Sequence, residues 1–190
     1  MKELNTLIAT LASLMTIIIA TLTPSAILLP RIELPPKVHE LPSTWQVPAL
    51  LICALVTGPK AGLVSAVAYL TIGLFYFPIF HGGGSTGYLL TPDMGYLLGF
   101  VPAVWVIGVL SETKGKSSVV YLTLYAIIGL LIIHLIGISN ILLGALSSRW
   151  TTDFIELIYI YTIATLPSQL LLCPGVAIIS KFLRLVLLTK

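Results

Sequence analysis

The sequence predicts an all-α polytopic membrane protein: six transmembrane helices, both termini cytoplasmic, one transmembrane domain over residues 1–190. Three observations predict it. First, 57% of residues are hydrophobic and only 9% charged, where a soluble domain carries roughly 25%. Second, apolar runs near the length of a membrane span recur along the chain. Third, the cations are asymmetric. With both ends inside, Lys2, Lys60, Lys114, Lys116, Lys181, Arg184 and Lys190 are cytoplasmic, against Arg31, Lys37 and Arg149 outside, the sign that the positive-inside rule demands. A soluble enzyme, a disordered chain and a secreted disulfide scaffold are excluded. No basic stripe suggests nucleic acid.

The first run, Leu4–Leu29, has an unbroken part from Leu4 to Leu22. That is longer than a signal-peptide core and reads as a retained helix. Trp45–Thr57 is short, ends at Gly58-Pro59 and needs protein around it to span. Ala61–Phe80, Met94–Leu110 and Val119–Ile138 follow. The last run, Ile155–Leu188, is interrupted by Pro167 and by Pro174-Gly175. Gly58, Gly62 and Ala66, and likewise Gly95, Gly99 and Ala103, repeat small residues at four-residue spacing, a pattern that lets helix backbones approach closely in lipid.

Polar residues gather on the predicted outside. The segment His81-Gly82-Gly83-Gly84-Ser85-Thr86-Gly87 leads to Thr91-Pro92-Asp93. Glycine lets a ligand approach main-chain N–H groups, and irregular backbone at membrane depth is tolerated where it is buried or lines a cavity. Asp93 suits either a helix cap or a ligand acceptor. Prolines stiffen the 31–44 loop, which fits a lid over a pocket mouth.

No catalytic set stands out. Ser85 and His81 lack a Gly-x-Ser-x-Gly elbow, Lys60 lacks phosphate-loop spacing, and Cys53 with Cys173 make too few ligands for zinc. No metal is expected. His134 reads as a satisfied core histidine.

Five motifs in order resemble a family: Pro42-Ser43-Thr44-Trp45-Gln46, Gly58-Pro59-Lys60-Ala61-Gly62, Tyr69-Leu70-Thr71-Ile72-Gly73, Phe77-Pro78-Ile79-Phe80 with its glycine loop, and Thr91-Pro92-Asp93-Met94-Gly95-Tyr96 continuing to Phe100. The pattern resembles BioY, the biotin-binding membrane subunit (S component) of energy-coupling-factor transporters. The resemblance implies an S-component bundle in the cell membrane that captures biotin from outside and hands it on. The partners it implies are a transmembrane coupling protein and two ABC-type ATPases, with no cofactor and biotin as the transported ligand. On the matching positions it places substrate contacts at Thr44, Trp45, Gln46, Tyr69, His81, Gly82, Gly83, Gly84, Thr86, Asp93 and Tyr96. Ala9 and Ser13 are the nearest match to the family's Ala-x-x-x-Ala docking motif. The family's C-terminal Pro-Gly-Asp, with Lys three residues later, becomes Pro174-Gly175-Val176 with Ile179. That departure makes Gln169, beside the Pro167 break, a candidate contact for the ureido group of biotin. An S component for another vitamin, an intramembrane enzyme and a non-binding assembly protein are the alternatives.

Overall fold

A computed structural model describes residues 2–29, 37–113 and 118–188. The charges at Arg31, Glu33, Lys114, Lys116 and Lys190, and Pro30, Pro35 and Pro36 of the proposed lid, lie outside the described residues.

Helix α1 spans Lys2–Thr21. It is followed by an antiparallel hairpin of β1 (Pro24–Leu29) and β2 (Lys37–Thr44), with Leu29 opposite Lys37 and Pro24 opposite Thr44. The hairpin corrects the expectation that the chain is all-α, and α1 ends at Thr21, beside the Leu22 end of the unbroken apolar run. Pro24 disfavours helical backbone at Thr23, and the pairing then satisfies main-chain groups that would otherwise go unbonded.

Helix α2 covers Gln46–Phe75, but the backbone leaves the helical region at Gly58, with φ 81° and ψ −178°. Such a φ suits glycine, and Pro59 is well placed to restart a helix because its missing N–H would be unbonded in a first turn. The two arms fold back on each other. A Cβ on Gly62 would sit 3.4 Å from the Cα of Ala54, and Gln46 reaches Tyr69. In a straight helix residues 46 and 69 would stand about 35 Å apart.

A single 3-10 turn at Thr86–Leu90 precedes α3 (Met94–Ser111), then α4 (Val119–Leu146). The last run is α5 (Phe154–Ile158), a π-helical turn at Tyr159–Ile163, and α6 (Leu166–Leu188). Among the described residues, five helical stretches are long and apolar enough to cross a membrane: Glu3–Thr21, Gln46–Phe75, Met94–Ser111, Val119–Leu146 and Phe154–Leu187.

The core lies where α2, α3 and α4 meet, around the fully buried Tyr69, Phe100, Leu50, Ile107, Leu130 and Ile133. A Cβ on Gly99 of α3 would stand 2.8 Å from the Cα of Ile133 in α4, so the small-residue stripe is a close helix crossing. Arg184 of α6 donates to the carbonyls of Leu55 (2.8 Å) and Ser111 (3.0 Å), placing a cation at the C-terminal ends of two helical segments. Exposed Leu4, Leu7, Ile8, Leu11, Met15 and Ile19 mark the outer face of α1. Ser13 does not belong to that face. It is buried, and its carbonyl accepts from Cys53 of α2 at 3.8 Å, because packing against α2 turns it inward; Ala9, one turn earlier, is half-buried.

Candidate binding site

A cavity of about 540 Å³ opens between the hairpin, the first arm of α2, the start of α3, the middle of α4 and the π-helical turn. Its walls are mainly apolar, with Val47, Leu97, Phe100 and Ile133, and its polar groups are few.

Asp93 is the first. Its side chain makes no cap hydrogen bond to α3; instead Oδ2 accepts from the Tyr88 hydroxyl at 3.0 Å. Of the two roles open in the sequence, capping is not the one taken. Burial pushes the Asp93 carboxyl above the usual carboxylate range, while the Tyr88 hydrogen bond and nearby His81 pull it back. Tyr88 is itself pushed up, by burial first and then by the charge of Asp93. The loop bearing them is pinned from two sides. Asn140 donates to the Pro92 carbonyl at 3.1 Å, and Arg149 donates to the Leu89 carbonyl at 2.9 Å.

Gln46 lies behind Thr44 on the same side. Its Nε2 donates to the Tyr69 hydroxyl at 2.9 Å, and that hydroxyl donates to the Ile79 carbonyl at 3.1 Å. Opposite the loop, Tyr96 contributes its ring and bonds Thr162 of the π-helical turn through its hydroxyl at 2.7 Å. The π turn explains why three consecutive residues, Tyr159, Ile160 and Tyr161, all reach the cavity, since an inserted residue re-aims side chains that a regular helix would spread around its axis. His134 and Gln169 complete the wall, joined by a 2.9 Å bond between Nε2 and Oε1.

Thr44, Gln46, His81, Asp93, Tyr96 and Gln169 therefore line one cavity. Trp45, Tyr69, Gly82, Gly83, Gly84 and Thr86 do not. Tyr69 is wholly buried and forms a layer behind Gln46. The glycine segment folds into a tight turn, with reciprocal backbone bonds between Phe80 and Gly83 and with Gly83 at φ 111°. A Cβ on Gly84 would stand 2.6 Å from the Gly73 carbonyl. The glycines are there for close packing against the second arm of α2, and the expected main-chain N–H donors from this loop are not part of the wall. Sequence reasoning missed His134, Tyr88 and the π-turn residues. For His134 a signal existed: an ionisable residue at the middle of a spanning helix is rare and tends to face a cavity.

The fold is that of a multi-pass membrane protein with a cavity among its helices. A solved structure described as the S-component for biotin from an ECF-type ABC transporter superposes with a TM-score of 0.71 at 22% identity, covering 96% of this chain and 92% of that one. The signature of the BioY family matches residues 1–188, and the chain belongs to the BioY family. It is 29% identical over 120 residues to a probable biotin transporter BioY of Lysinibacillus sphaericus, covering 60% of this chain and 61% of the relative. It is 35% identical over 102 residues to one of Pyrococcus horikoshii, covering 53% and 59%, and 35% identical over 99 residues to the biotin transporter BioY of Thermotoga maritima, covering 52% and 57%. The alignments span about three fifths of the length of these curated relatives.

Proposed function

We propose that this chain captures biotin from outside the cell membrane as the substrate-binding subunit of an energy-coupling-factor transporter. The observation that carries the reading is the Asp93 carboxylate, held by Tyr88 at the wall of an apolar cavity of about 540 Å³. Small-ligand pockets run to roughly 300–1,000 Å³ and use a few fixed polar groups among apolar walls. Biotin brings two ureido N–H donors and one carbonyl to such groups, and an apolar ring and chain to the walls. Thr44, Gln46, His81, Asp93, Tyr96 and Gln169 are the proposed contacts. The reversal at Gly58 supports counting the two arms of α2 as separate spans. The count is then six, and both termini and the 114–116 segment are cytoplasmic. Transport then needs a transmembrane coupling protein and ABC-type ATPases, with Ala9 on α1 as the candidate contact.

Titration of purified protein with biotin and desthiobiotin tests the reading. Saturable binding of biotin, with no ATP hydrolysis by the chain alone, is the expected result; absence of biotin binding by folded protein overturns it. Cysteine labelling of intact cells tests the orientation, and the native Cys53 and Cys173 are both buried. External labelling at position 84 and none at position 115 is expected, and the reverse pattern sinks the topology.

A further inference from the structure

The cavity wall carries two glutamines, and a buried partner fixes which end of each carboxamide is free. The Tyr69 hydroxyl has one proton, and two acceptors share it: the Ile79 carbonyl at 3.1 Å and Thr21 Oγ1 at 3.1 Å, whose own proton goes to the Ile17 carbonyl. Toward Gln46 that hydroxyl is therefore an acceptor, so one N–H of the Gln46 amide is committed to it and the amide nitrogen faces Tyr69, while Oε1 makes no hydrogen bond to the described residues. At the other glutamine the direction reverses. Gln169 Oε1 cannot donate, so His134 Nε2 carries the hydrogen of their bond. The amide NH₂ of Gln169 is left unpaired among the described residues. His134 is itself 4% exposed, and its Nδ1 has no partner. A histidine held at this depth with one nitrogen on Gln169 serves to orient that side chain.

We propose that Tyr69 and His134 set opposite polarities on Gln46 and Gln169, so that the cavity offers a cyclic urea an acceptor from Gln46 and a donor from Gln169. With Asp93 as the second acceptor, the set matches two N–H groups and one carbonyl. Gln169 then supplies from the last helix the carbonyl-binding group, and His134 is a positioning residue that acts through it. The inference rests on the biotin reading and deepens it.

The test uses full-length protein in detergent with biotin, 2-iminobiotin and biotin amide. 2-Iminobiotin carries N–H where the urea carries oxygen. Gln169→Glu replaces the donor by an acceptor of the same shape. It is expected to weaken biotin roughly 5- to 150-fold, the span of one buried hydrogen bond, and to shift preference toward 2-iminobiotin. Gln169→Met, which has neither group, should lose biotin affinity with a smaller shift in preference than Gln169→Glu. Gln46→Met should weaken biotin and 2-iminobiotin alike, since both keep ring N–H donors. His134→Phe should reduce the preference for biotin over 2-iminobiotin, and His134→Gln, which keeps a donor, should restore it. If Gln169→Glu binds biotin within twofold of the parent with unchanged preference, the proposal fails. It fails equally if that variant alters selectivity against biotin amide instead, because the donor would then face the carboxylate. If the parent protein does not bind biotin, the functional reading itself has failed.

Discussion

The loop-side wall of the cavity and the helix-side wall hold their polar groups in different ways. On the loop side the partners are close in sequence: Tyr88 and Asp93 are five residues apart, Tyr69 and Ile79 ten, and Gln46 and Tyr69 twenty-three, within one helical hairpin. On the helix side, His134 and Gln169 are 35 residues apart and Tyr96 and Thr162 are 66, each pair joining separate helices. The loop-side groups find their side-chain partners nearby in the chain, although Asn140 and Arg149 tie the loop itself to the end of α4 and the residues after it. The helix-side groups are in place only when α3, α4, the π turn and α6 are docked, so a shift of α6 would alter that wall and spare the other.

The largest effect is expected from breaking the loop-side wall at its charge. Asp93→Asn keeps the shape and removes the carboxylate. Hydrogen bonds to charged groups are worth about 1.5–3 kcal/mol, so biotin should bind roughly 10- to 150-fold more weakly. An unchanged affinity by titration calorimetry would show that the ligand does not reach Asp93.

The helix-side wall is broken by bulk instead. Gly137 lies one turn beyond His134 in α4, and a Cβ there would run into the ring of Tyr96. That ring packs edge-on to His134 with centroids 5.5 Å apart. Overpacking of this kind costs about 1–3 kcal/mol, so Gly137→Ala should lower the thermal midpoint in detergent and loosen biotin binding. The acid dependence of binding, which belongs to Asp93, should stay the same. A changed acid dependence would mean that the two walls are not separable.

The same contrast explains what a single sequence revealed. Asp93, Gln46 and Tyr96 fall in short motifs whose spacing is fixed by local geometry, and they were legible. The spans were legible from apolar runs, although the hairpin after Thr21 was not, because a proline-rich stretch of sequence separates its two strands and neither alternates. His134 is buried and bonded to Gln169, as a core histidine is, but its place in the cavity wall was not legible, because that partner is on another helix. The glycine loop misled for the opposite reason. Glycines that allow ligand approach look the same as glycines that allow Gly84 to pack on the Gly73 carbonyl.

The smallest expected effect is the most diagnostic. Tyr88→Phe leaves the Asp93 carboxylate in place and removes a partner that holds it, not a ligand contact, so affinity at neutral pH should fall only about 2- to 12-fold. Its signature lies in the pH dependence. The ligand's N–H groups favour the ionised carboxylate, so biotin binding is full above the raised value of Asp93 and declines as pH falls through it. The Tyr88 hydroxyl favours the ionised form, so its loss pushes Asp93 further up. The acid decline in Tyr88→Phe should therefore begin at higher pH than in the parent, and it should be absent in Asp93→Asn. Stability of the empty protein should move the other way. A carboxyl raised in the folded state contributes stability below the ordinary carboxylate range and loses it as pH rises through the raised value. Tyr88→Phe should enlarge that loss. Biotin titrations and thermal melts from pH 4 to pH 8 would show both trends. An acid limb that stays in place when Tyr88 is changed would show that Asp93 is not the titrating group.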